Sequence, residues 1–321
     1  MQTNLLSSQL HGVIPIYKPL GMVSKDVSRW LTKRLGKQKL GHVGTLDPLA
    51  EGLLPVLFGR ATKLQDYYVD MHKSYNFDVS LGIATTTLDC EGEQVEQQPL
   101  PASMTQNLIN QICREMEGEF LQKPPIYSAI KFRGKPLYEY ARKGQEAKVD
   151  LDSLTKKVFI KKLKCVGFAS DKLSFSIECS KGTYVRVVGD CIARKLNTCG
   201  HITRLVRTAS AGFDLTTAIS LDHIDENLDR FESLLSPIES TQLSLPRWRA
   251  DKGAVKRLQN GLVHNLGIRD FLENCLDRND SISFDTAETI LLLDQQKRCF
   301  GIGRVSVDQD QRLAIKLKRG L

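Results

Sequence analysis

An α+β fold is what the 321 residues predict, and three observations carry it. Stretches 75–81, 158–168 and 173–179 alternate apolar with polar residues, as strands do when one face is buried. Segments 24–35, 103–117 and 183–196 instead repeat their apolar residues at helical spacing. Beyond Pro237 and Pro246 the pattern changes again, to about seventy residues that are mostly strand-like. Strands with a polar face do not suit a doubly wound parallel sheet, whose strands are apolar on both sides.

The elements follow in order. A strand over 12–18 stops at Pro19 and Gly21, and Ser24 reads as the N-cap of a helix that carries Val27, Leu31 and Leu35 and ends at Gly36. A glycine-rich loop, Gly41 to Pro48, leads into an apolar segment, and the strand at 75–81 comes next. The helix over 103–117 turns Leu108, Ile109, Ile112 and Met116 inward. Between Lys123 and Lys148 the chain is basic, aromatic and turn-rich, with a short helix from Pro136 to Gly144. Strands at 158–168 and 173–179 precede the helix at 183–196, which buries Val187, Val188, Cys191, Ile192 and Leu196. A break at 239–249 separates a last unit with one short helix, 251–260, and strands at 289–293, 298–307 and 313–317.

Composition bounds the function. Hydrophobic residues make up 41% and charged residues 26%, which excludes wholesale disorder. The longest apolar runs, 52–58 and 289–293, are far shorter than the roughly 20 residues needed to cross a bilayer, and residues 1–10 lack the order of a signal peptide. A soluble, cytoplasmic protein is expected. Its eight cysteines include no Cys-x-x-Cys pair and read as mostly buried thiols in a reducing compartment. Cys191, Cys199 and His201 match no zinc spacing. The net charge of +8 is unevenly spread: +5 over residues 1–75, −7 over 76–120, +12 over 121–210 and −2 over 211–321. So basic a middle segment would draw a polyanion, of which nucleic acid is the commonest, or would simply solvate a surface.

Three stretches could do chemistry. Asp47 lies beside Gly41 and Gly44, where backbone can approach a ligand, and its carboxylate at the edge of the core would need a cationic or hydrogen-bonding partner. An Asx-turn cap is the plainer alternative. Lys181-Gly182-Thr183-Tyr184-Val185-Arg186 spans a strand-to-helix junction, and a cation in a first helical turn is disfavoured unless an anion answers it. Basic residues interleaved with tyrosines from Lys123 to Gly144, Lys131 among them, fit RNA backbone tracking with base stacking. Phosphate-loop, dinucleotide and nucleophile-elbow motifs are all missing.

Taken together these stretches resemble the bacterial tRNA pseudouridine-55 synthases, the TruB family. The resemblance runs from Gly12 to Gly21 with Ser24, is strongest over 41–55, and continues at Lys73-Ser74-Tyr75, Pro124 to Gly144, 180–186 and 201–207. It implies a mixed, mainly antiparallel sheet with flanking helices over 1–240, an RNA-gripping insertion at about 123–148 that is mobile without RNA, and a small β-rich PUA-like RNA-binding domain over 247–321. The alternating strands agree with that sheet. By the same resemblance Asp47 is the nucleophile, Arg186 its paired cation, and Tyr75 the ring that stacks on a flipped-out uridine. His42 fills the space the base vacates, Tyr184 and Leu205 line the pocket, and Lys18, Gly44, Thr45 and Lys131 complete the substrate-binding set. The expected partner is the T-stem-loop of tRNA, met by a monomer without metal, organic cofactor or obligate protein partner. A guide-RNA-dependent synthase, or an RNA-folding protein on the same scaffold, are the alternatives. Tyr17, in place of an acidic residue, and Thr86, in place of another, depart from the pattern and bear on local packing only.

Overall fold

The computed structural model describes residues 9–243, 245–276, 288–307 and 312–321. The chain opens with β1 (Gly12–Lys18), α1 (Ser24–Leu35), β2 (Leu40–His42) and β3 (Ala50–Phe58). A 3-10 turn leads to α2 (Gln65–Asp70), β4 (Lys73–Leu81) and the small pair β5 (Ile83–Thr85) and β6 (Gln94–Gln97). Next come α3 (Gln106–Met116), β7 (Gly118–Gln122), the hairpin β8 (Lys131–Phe132) and β9 (Lys135–Pro136), and α4 (Leu137–Ala141). Long strands β10 (Lys156–Phe168) and β11 (Lys172–Cys179), α5 (Val185–Lys195), β12 (Gly200–Ser210), β13 (Phe213–Asp214) and α6 (Leu221–Glu226) follow. The last part holds β14 (Arg247–Arg249), α7 (Lys252–Gln259), β15 (His264–Leu266), α8 (Ile268–Asn274), β16 (Glu288–Leu293), β17 (Cys299–Val307) and β18 (Leu313–Gly320).

Nine strands form the main sheet, in the order β1-β3-β12-β4-β11-β10-β7, with β2 on β3 and β13 on β12. Among the described residues its pairings are antiparallel except that of β3 with β12, where Leu205, Val206 and Arg207 run parallel to Ala50, Glu51 and Gly52. This is the mixed, mainly antiparallel sheet expected. One face carries α1, α3 and α5, whose Leu31, Ile109, Ile112, Val188 and Ile192 pack on Phe77, Val79 and Phe175. Against the other face of β1 and β3, Val13 and Leu57 meet Leu64 and Tyr68 and then Leu291, Leu293 and Ile302 of the second sheet. That sheet has the order β14-β16-β17-β18-β15. Beyond Glu51, strand β3 is therefore apolar from Gly52 to Phe58 because it is buried on both faces, which is why no alternation marks it.

Four local readings change. Val23, not Ser24, occupies the N-cap of α1, and the Ser24 side chain turns away to the loop before β3. The α3 cap is Thr105, so the helix starts three residues later than the apolar spacing suggests and leaves Leu108 exposed. Among the described residues the final unit contains two helices, α7 and α8, where the sequence suggests one. Cys191 is half-buried rather than fully inside, while five other cysteines are buried. The rest of the stretch 267–282, from residue 277 on, lies outside the described residues.

Candidate active site

Asp47 sits in the loop joining β2 to β3. Gly44 in that loop has φ +71°, a conformation that favours glycine, and a Cβ there would lie 3.0 Å from Arg207 Nη1 and 3.1 Å from Lys73 Cε, pressing on both side chains. Two side chains tie the loop down. Ser24 Oγ accepts from Leu46 N at 2.8 Å and donates to Leu46 O at 3.2 Å. Arg207, fully buried on β12, donates from Nη1 to Gly44 O at 2.9 Å, from Nη2 to Val43 O at 3.3 Å and from Nε to Leu53 O at 2.7 Å.

The Asp47 carboxylate lies 2.9 Å from Nη2 of Arg186, with side chains 39% and 4% exposed. Arg186 is the second residue of α5, where the helix dipole opposes a cation. Two carbonyls accept from it there, Thr87 O at 2.7 Å from Nη1 and Tyr127 O at 3.0 Å from Nη2, while Asp89 Oδ2 lies 3.6 Å from Nε as an ion pair without a hydrogen bond. Asp89 is itself buried, and its Oδ1 accepts from the Thr87 hydroxyl and from Glu91 N. The guanidinium thus faces one buried carboxylate and one that reaches solvent. The second is Asp47.

Tyr75 on β4 stands opposite Arg207 in the strand register. Burial raises the Tyr75 phenol pKa above its ordinary value, and Arg207 offsets part of the rise. Two buried lysines flank them. Lys18 Nζ donates to Pro19 O at 2.9 Å and to Met22 O, and Lys73 Nζ to Val69 O at 2.7 Å and Met71 O at 2.9 Å. Burial, with Arg207 next, pushes each ammonium down to about 8.

His42, at the end of β2, sets Nε2 3.2 Å from Thr45 Oγ1, and burial lowers its pKa below the usual 6.5, leaving a neutral ring at pH 7. Tyr184, the N-cap residue of α5, has its phenol raised by burial. Leu205 is buried between its partners Ala50 and Phe77. The structure therefore gathers Asp47, Tyr75, Arg186, Lys18, Gly44, Thr45 and His42 around one loop, with Tyr184 and Leu205 on the flanking elements. Lys131 stands exposed on the β8–β9 hairpin, with no hydrogen bond or ion pair to this set among the described residues. Asp89, Arg207 and the loop-tying role of Ser24 escaped the sequence reading. Asp89 lies only three residues beyond the Thr86 departure, so the 85–89 turn belongs to the site and is not packing alone, although Thr86 itself bonds only Glu93, accepting from its N–H at Oγ1 and donating its own N–H to its carbonyl. Tyr17, the other departure, donates its hydroxyl to Glu51 Oε2 at 2.7 Å.

The same architecture occurs in solved structures. A structure described as a Cbf5-Nop10-Gar1 complex superposes with a TM-score of 0.71 at 21% identity, covering 97% of this chain and 85% of that one. An H/ACA RNP bound to a substrate RNA containing 2′-deoxyuridine gives a TM-score of 0.70 at 19% identity, covering 97% and 84%. At such identities the likeness concerns the fold. Sequence relatives go further. The tRNA pseudouridine synthase B of Bacillus cereus is 36% identical over 297 residues, 91% of this chain and 92% of that protein. Its counterpart from Staphylococcus haemolyticus is 38% identical over 266 residues, 79% and 85% of the two chains. The model of the TruB family pseudouridylate synthases, N-terminal domain, matches residues 32–185. The chain belongs to the TruB family of pseudouridylate synthases.

Proposed function

We propose that the protein converts the T-loop uridine of tRNA to pseudouridine, with Asp47 as nucleophile on a flipped-out base. The observation that carries this reading is the Asp47–Arg186 pair: a solvent-reaching carboxylate fixed at 2.9 Å by an almost fully buried cation. In the isomerisation the glycosidic N1–C1′ bond breaks, the uracil turns, and a C5–C1′ bond forms. The C5 proton leaves to solvent and N1 takes one up, so composition is unchanged. A carboxylate nucleophile divides this exchange into two easier steps. Arg186 orients Asp47 for both.

The remaining residues serve the base. Extracting it from the T-loop stack costs a few kcal/mol. Tyr75 offers a ring to stack on, Leu205 and Tyr184 bound the pocket, and the neutral His42 with Thr45 fills the gap left in the loop. Lys18 and Gly44 shape the pocket floor. The 123–148 insertion, Lys131 included, grips the RNA, and the 247–321 unit extends the contact. The protein acts in the cytoplasm as a monomer without an obligate partner. The family and its relatives favour tRNA over a guide-RNA substrate, and the intact Asp47, Tyr75 and Arg186 favour an enzyme over an RNA-folding protein.

Tritium release from T-stem-loop RNA made with 5-tritiated uridine tests the reading. Wild-type protein releases tritium, the Asp47→Asn variant does not, and release is lost when the T-loop uridine is replaced by cytidine. Failure of the wild type to release tritium from RNA it still binds refutes the reading.

A further inference from the structure

Gln122 is the last residue of β7 and the one buried residue of that strand, while its neighbour Leu121 is exposed. Its amide reaches across to the turn that opens α5. Nε2 donates to Gly182 O at 2.9 Å, and Oε1 accepts from Tyr184 N at 2.7 Å. Two residues beyond Tyr184 is Arg186, whose Nη2 lies 2.9 Å from Asp47 Oδ2. The chain that leaves Gln122 returns to that same nitrogen, since Nη2 donates to Tyr127 O at 3.0 Å. Residues 122–127 therefore clasp Arg186 at both ends, its backbone through Gln122 and its guanidinium through Tyr127. We infer that Gln122 is a positioning residue for the reaction. By fixing the turn from which Arg186 extends, it aims the cation at Asp47 and ties that aim to the root of the 123–148 insertion. This rests on the pseudouridine synthase reading above.

Three observations favour positioning over simple packing. A buried amide is costly unless both its ends are bonded, and a leucine or methionine would fill the space without that demand. Both ends of Gln122 are bonded, and both partners are backbone groups of the turn 182–184, so the amide fixes the path of the chain. The turn also lacks other support. Gly182 has φ +81° and nothing within 4 Å of where a Cβ would stand, so no packing holds it. Helix α5 makes no side-chain cap at Tyr184, and the Thr183 hydroxyl bonds Ser180 O instead. The start of the helix is thus secured from β7. A displacement of about 1 Å in a group that orients a nucleophile can cost about 100-fold in rate.

Single-turnover tritium release at saturating T-stem-loop RNA tests the inference, with RNA affinity read by filter binding and folding by the urea midpoint. Gln122→Met keeps the volume and loses both bonds. Gln122→Glu keeps the acceptor for Tyr184 N but, when ionised, cannot donate to Gly182 O. The expected result is a rate about 30-fold lower or more for Gln122→Met and about tenfold or more for Gln122→Glu, with RNA Kd within about threefold of wild type. A merely structural role would lower the urea midpoint and leave the rate of the folded, RNA-saturated protein unchanged. A wild-type rate in folded Gln122→Met, or a loss carried by affinity, would overturn the inference. Should Gln122→Met fail to fold, Gln122→Glu decides by the same two criteria. Wild type and Asp47→Asn are run beside them. No release from the wild type sinks the synthase reading and this inference together, whereas an active wild type and an inactive Asp47→Asn beside a fully active Gln122→Met sink only the role of Gln122.

Discussion

At the scale of the residue, the site works by giving one cation two carboxylates of opposite accessibility. Asp89 shares the burial of Arg186 and so balances its charge in the low-dielectric interior, where an unpaired guanidinium would be costly. Asp47 is then held by the same guanidinium yet open to solvent. Its aim depends on the loop, and the loop depends on Ser24. Replacing Ser24 with alanine leaves the Leu46 N–H without a partner in a buried position, at a cost of about 1–3 kcal/mol. We expect a lower urea midpoint and a slower turnover, with RNA affinity unchanged. Wild-type stability in Ser24→Ala would mean that the loop is held by Arg207 alone.

At the scale of the element, the parts legible in the sequence are those whose burial leaves a period. Strands β4, β10 and β11 have one face turned to the helices, and the alternation placed them within two residues. Strand β3 is buried on both faces, and β12 has register shifts between Ile202 and Arg204 and between Arg207 and Ala209 that interrupt its alternation, so neither shows a period, although together they make the parallel step beside Asp47. Asp47 and Arg186 are assigned roles by the sequence only as members of a motif; taken alone, Asp47 reads equally as an Asx-turn cap, and Arg186 only as a helix-start cation in want of an anion. Arg207 falls within the 201–207 resemblance and Asp89 beside Thr86, but neither shows its role in the sequence, because a buried charge is recognised by partners such as Gly44 and Arg186 that lie far away in the chain. The insertion between β7 and β10 is a different case. Its α4 helix is anchored by Leu137 and Ala141, while Lys131, Arg133, Lys135, Arg142 and Lys143 are exposed. Brief trypsin treatment should cut here first in the free protein, and T-stem-loop RNA should slow the cut. Equal cleavage with and without RNA would exclude this segment from the binding surface.

At the scale of the whole molecule, the two sheets are joined by core. Leu291, Leu293 and Ile302 enter the cluster of Leu57, Leu64 and Tyr68, the Tyr68 hydroxyl meets Thr241 Oγ1 at 2.6 Å, and Lys63 Nζ donates to Gly320 O at 2.6 Å. Burial of thiols, Cys299 in this core and Cys113, Cys179 and Cys191 in the core under the main sheet, also sets the response to alkali. Cys113, Cys179 and Cys191 are pushed up to about 11 and Cys299 to about 12, from an ordinary 9.0. Their folded forms keep protons that the unfolded chain releases, so their contribution to stability is present below pH 9 and lost as pH rises towards 11. Lys18 and Lys73, lowered to about 8, act in the opposite sense between about 8 and 10.5, but they are two against four. The urea midpoint should therefore fall between pH 8.5 and pH 10.5, values chosen to span roughly the onset and most of the loss. A level midpoint would contradict the burial of these thiols.

The parallel step between β3 and β12 carries a consequence for biosynthesis. It registers Ala50 with Leu205, and Asp47 finds Arg186 only when α5 has docked, so the reactive pair joins segments made early to segments made well past the middle of the chain. Pairings of such long sequence separation pay loop-closure entropy before they return any contact energy, and they form late. A nascent chain therefore carries Asp47 before Arg186, the cation that holds its carboxylate, has docked. Competence arrives with completion of the sheet.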